Sequence, residues 1–65
     1  MNMDPMPTYE YAGPRDYAVH RVVADRYTVD GEIVTFVNVT SVDGVVREPA
    51  QTLVVVVRDV PRIVD

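Results

Sequence analysis

Cysteine and lysine are absent from this 65-residue chain, and histidine occurs only once. Without cysteine no disulfide can staple a small fold, and a single histidine cannot assemble a zinc site, so the composition carries no expectation of a metal or any other cofactor. The usual pairings of nucleophile and base reduce to His20 with Ser41. No nucleophile elbow or oxyanion-hole motif accompanies them, so the sequence reads as non-enzymatic. No apolar run approaches the ~20 residues of a membrane span. The first residues lack a basic segment followed by an apolar one, so cytoplasmic residence is expected. Positive charge is also scarce: six basic residues, all arginine, stand against ten acidic ones, for a net charge of -4. That balance makes nucleic acid an unlikely partner, because neutralising phosphates takes clustered positive charge. A nucleic-acid-binding small barrel would need Arg15, Arg21 and Arg26 to converge on one surface.

What the chain does have is valine. The hydrophobic share is 48%, and its β-branched majority suits a pleated, half-buried surface. Two stretches, Val29-Asp30-Gly31-Glu32 and Val42-Asp43-Gly44-Val45, set Asp-Gly between such runs. This pair of residues tolerates the positive φ that a tight hairpin turn requires. If both are two-residue loops, Val29 faces Glu32, Tyr27 faces Val34, Arg21 faces Thr40 and Thr40 faces Arg47. Pro49 has no N–H to give to a ladder, so the third strand is expected to break or bend there. An amphipathic helical turn or two over residues 16–25 also fits the apolar spacing, but the valine content and the following turn favour strand.

The expected fold is therefore all-β: a small antiparallel meander of three to four strands with tandem Asp-Gly hairpins, kinked near Pro49. It is curled into a barrel-like sheet or completed by oligomerisation. Residues 1–15, broken by Pro5, Pro7 and Pro14, are expected to form an extended arm, and residues 16–65 a single β domain. A chain this short buries only about 60% of the surface its unfolded form exposes. Thr52-Leu53-Val54-Val55-Val56-Val57 lacks the alternation of a strand with one wet face, so both of its faces are expected to be covered.

Two sets of candidate residues follow. Arg21, Thr40 and Arg47 would lie side by side across three strands with Asn38 nearby, and two guanidinium forks flanking a hydroxyl and an amide suit a small anionic ligand or nucleotide. Met3, Met6, Tyr9 and Tyr11 in the arm, with Val55, Val57 and Ile63, are adhesive side chains suited to an interface. The leading functional expectation is a small β protein that self-associates and acts on a protein partner, of the viral accessory, inhibitor or assembly-subunit type. Anion binding through the arginine row is the alternative.

Overall fold

A computed structural model describes residues 6–15 and 18–64. Among these residues six strands form one antiparallel sheet: β1 (Thr8–Ala12), β2 (Val19–Val23), β3 (Arg26–Asp30), β4 (Ile33–Val42), β5 (Val45–Val56) and β6 (Arg62–Ile63). No helix occurs among the described residues, so none is long and apolar enough to cross a membrane. β4 is the spine, with β2 and β3 following one another along one of its edges and β5 along the other. β1 pairs with the far side of β2, and β6 pairs with β1.

The sheet curls into a half-barrel because the chain after β5 crosses back toward β1. The Val57 N–H donates to the Glu32 carbonyl at 2.8 Å, the Arg58 N–H to the Ala12 carbonyl at 2.9 Å, and the Val64 N–H to the Thr8 carbonyl at 2.9 Å. The Tyr27 hydroxyl donates to the Pro61 carbonyl at 3.3 Å, tying the crossing segment down over the concave side.

The strands outnumber the three to four expected, for two reasons. The run expected as one strand before the first turn is interrupted at Ala24-Asp25, giving β2 and β3. The stretch expected as an arm supplies β1, with Tyr9 buried in the core. Its period-2 alternation places Tyr9 and Tyr11 inward and Glu10 outward, and this outweighs the nearby prolines because both Pro7 and Pro14 fall outside the strand.

The pairing of β3 with β4 also departs from expectation. Val29 faces Val34 and Tyr27 faces Phe36, so the loop is Gly31-Glu32 rather than Asp30-Gly31. Gly31 has φ +63° and Glu32 is not among the positive-φ residues, which is the geometry of a turn with glycine in its first central position. The slip is two residues, so every side chain keeps its expected face. Between β4 and β5, Val42 pairs with Val45 around Asp43 (φ 51°) and Gly44 (φ 84°). Further along this pair, residues 47–50 stand opposite Thr40 alone.

The concave side carries the core: Tyr9, Val22, Ala24, Val34, Phe36, Val39 and Val57. On β4 the buried positions run 34, 36 and then 39, a break in alternation that falls at Asn38, whose φ is +57°. One extra residue in a strand bends it and increases its twist, and asparagine tolerates the left-handed region better than most residues. Four aromatic rings meet at the centre. Phe36 lies 5.7 Å from Tyr9, 5.7 Å from Tyr11 and 6.0 Å from Tyr27, and Tyr9 meets Tyr27 edge-on at 5.1 Å.

Along β5 and the residue after it the burial alternates: Leu53 and Val55 are half-buried and Val57 is buried, whereas Val54 is 61% and Val56 48% exposed. The expectation that both faces of this run would be covered is thus overturned for the isolated chain. The physical reason is geometric. Among the described residues β5 pairs only with β4, and a sheet curled around its own concave side leaves its convex side without a second layer from those residues.

Candidate functional site

The convex face of β2, β1 and β6 carries the densest charge arrangement. Cross-strand pairing sets Glu10 beside Arg21 on one flank and beside Arg62 on the other. The Arg21 Nε donates to Glu10 Oε2 at 3.1 Å, and the Arg62 Nη2 donates to Glu10 Oε1 at 3.1 Å. Only 12% of the Glu10 side chain is exposed, whereas its partners stay largely in water at 68% and 78%. These two hydrogen bonds, Arg62's first, hold the Glu10 carboxyl below its ordinary value of 4.5.

Beside this triad the β4–β5 turn is fastened to β2. The Asp43 N–H donates to the Arg21 carbonyl at 2.8 Å, and the Arg21 N–H donates to Asp43 Oδ1 at 3.0 Å. His20 Nδ1 lies 2.8 Å from Asp43 Oδ2, and since a carboxylate can only accept, Nδ1 is the donor. The His20 bond, then the Arg21 N–H, lower the Asp43 carboxyl from its ordinary 3.8. The Tyr11 ring lies 5.2 Å from that of His20. Burial first, and the Asp43 charge second, raise its phenol above 10.0.

The four residues expected to hold an anion are not brought together. Arg21 lies beside Asp43, not Thr40, because β2 pairs with β4 through Val22–Val42 and Val23–Ser41. The Thr40 hydroxyl donates to the Val23 carbonyl at 3.4 Å. Asn38 forms the irregularity in β4, and Arg47 is exposed on β5. Nor does His20 meet Ser41, which pairs with Val23. Two guanidinium groups one strand either side of a third, about 9.6 Å apart by strand spacing, do occur here. The second is Arg62 rather than Arg47, and the anion between them is the chain's own Glu10.

The chain matches no protein-family model, no curated protein and no solved structure.

The residues expected at an interface divide. Tyr9 and Val57 belong to the core, Tyr11 and Val55 pack half-buried against it, and Met6 is half-buried. Ile63 is 65% exposed, and Met3 lies outside the described residues. The exposed members of the valine run are Val54 and Val56, the opposite set in the alternation. Glu10, Arg62 and Asp43 are not among the site residues expected from the sequence. The Thr-Tyr-Glu-Tyr alternation would have found Glu10 had the prolines not marked the stretch as an arm.

Both carboxyls with lowered values contribute stability that is fully present above their unfolded values and is lost as pH falls through the folded ones. We therefore expect the denaturation midpoint to fall as pH drops below about 4.5. In Glu10→Gln that acid limb should be shallower, because only Asp43 of the pair remains to titrate. Urea unfolding from pH 7 to pH 2 measures this, and an unchanged acid limb in the variant would show that the triad does not couple to folding.

Proposed function

We propose that this protein is a non-enzymatic interaction module that self-associates and works through contacts with protein. The observation that carries the reading is the bare convex face of β4 and β5. Ile33 is 46% exposed and pairs directly with Val56, and Val54 stands on the same face next to Thr35. Contiguous apolar surface of this kind on a small soluble domain marks an interaction site far more often than a free surface. The non-enzymatic part rests on the sequence, which lacks cysteine and lysine. The cytoplasmic setting that belongs to this reading rests on its cysteine-free, acidic composition.

Light scattering across a dilution series tests it. The expected mass is at least twice 7.3 kDa at the concentrated end, falling on dilution. A constant single-chain mass up to about 1 mM, where even -4 kcal/mol of association would register, refutes self-association.

A further inference from the structure

We infer that the cleft between Val55-Val56 and the cross-strand pair Tyr11 and His20 is a binding site for a small organic monocarboxylate with an apolar body, its charge held by Arg15. The site goes beyond the self-association reading and does not depend on it.

The cup of the sheet is not sealed. The Arg58 N–H, bonded to the Ala12 carbonyl at 2.9 Å, draws the chain just after β5 against the end of β1. No ladder joins β5 to β1 or β2 among the described residues. A cleft of about 350 Å³ stays open there, lined by Tyr11, Pro14, Arg15, His20, Val55 and Val56. Tyr11 pairs with His20 across the β1–β2 ladder, and their rings lie 5.2 Å apart. Two further clefts, one lined by Glu10 and Arg62 and the other by Glu10 and Arg21, offer only guanidinium groups that Glu10 already engages.

The polar groups of this cleft are ones the fold leaves open. Arg15 is exposed and makes no ion pair among the described residues, and the Tyr11 hydroxyl makes no hydrogen bond among them. His20 commits Nδ1 to Asp43 at 2.8 Å, so any charge on its ring is already matched and Nε2 remains. Arg15 is thus the unmatched cation of the wall, and a guanidinium fork meets a carboxylate in two parallel hydrogen bonds. Val55, Val56 and Pro14 supply apolar surface for the rest of the ligand. Size and charge narrow the class further. Small-molecule sites span about 300–1,000 Å³, so this cleft, at the low end, suits one ring or one branched chain rather than a nucleotide. The Asp43 charge reaches the same wall, since it helps to raise the Tyr11 phenol. A second negative charge on the ligand would meet that repulsion, which disfavours a phosphate dianion.

Titration of the dilute, full chain with phenylacetate at pH 7, followed by two-dimensional NMR, tests the site. The Val55 and Val56 methyls and the Tyr11 ring should shift together and saturate with a Kd of about 1–10 mM, the reach of so small a ligand. The uncharged methyl ester of the same acid should bind at least about tenfold more weakly, and so should phenylacetate to Arg15→Gln, because each change removes a charge-assisted pair. Arg15 is exposed and outside every strand, so that variant keeps the fold. Inorganic phosphate should leave the valine methyls unmoved. An ester that binds as tightly as the acid, or an Arg15→Gln variant with unchanged affinity, overturns the proposal. So does a response led by Ile33 and Val54, which would mean that the acid coats the convex face, or the lack of any saturable shift up to about 20 mM. None of these outcomes bears on the mass of the chain in solution, so this site and self-association stand or fall separately.

Discussion

Phe36→Ala is expected to remove about 3–5 kcal/mol of folding stability, the cost of emptying a fully buried aromatic site. Phe36 is 0% exposed and lies within 6.0 Å of three tyrosine rings. The consequence is set by the size of the chain. At about 0.05–0.15 kcal/mol per residue, a domain of this length holds about 3–10 kcal/mol in total. No disulfide is available to make good the loss. Urea unfolding followed by circular dichroism should show the midpoint collapse toward zero denaturant. A loss under about 1 kcal/mol would mean that the four rings do not form the stabilising centre described here.

Tyr9→Ala is expected to cost a similar amount, about 3–5 kcal/mol, although its residue lies in a stretch whose prolines mark it as an arm. Tyr9 is 5% exposed, meets Tyr27 edge-on and packs on Phe36. Were β1 a detachable arm, the substitution would change association and leave the stability of the dilute chain alone. As a core strand it should destabilise the dilute chain directly, so unfolding is measured at concentrations where the protein is unassociated. The double variant Tyr9→Ala/Phe36→Ala should lose less than the sum of the single losses, because the two rings touch and the first deletion already removes the contact they share. Strict additivity would place the two residues in separate clusters.

The antiparallel, all-β character is legible from valine content, period-2 alternation and the glycines at turns, all of which act between residues close in the chain. The curl of the sheet is also foreshadowed, since one flat ribbon cannot hide that much aliphatic surface. The pairing of β3 with β4 is legible only as to face. Both the Asp-Gly and the Gly-Glu loop satisfy the local rules, and the choice between them moves the ladder by two residues without turning a side chain over. The arginine row was not legible. Its register runs from the first turn through β3 into β2, across the point where Asn38 inserts an extra residue into β4. The two-residue slip at the turn and this one extra residue together move Arg21 three positions along β4, from Thr40 to Asp43.

By itself, then, the amino-acid sequence determined the strand content of this protein, its turns at glycine and its lack of cysteine and lysine chemistry. Propensity, alternation and positive φ are properties of neighbouring residues. Only the tertiary structure decided that Tyr9 is core rather than arm, that Glu10 is the anion between Arg21 and Arg62, and that Val54 and Val56, not Val55 and Val57, face outward. Each of those outcomes depends on which distant strands meet, in what register, and on which side a curled sheet closes.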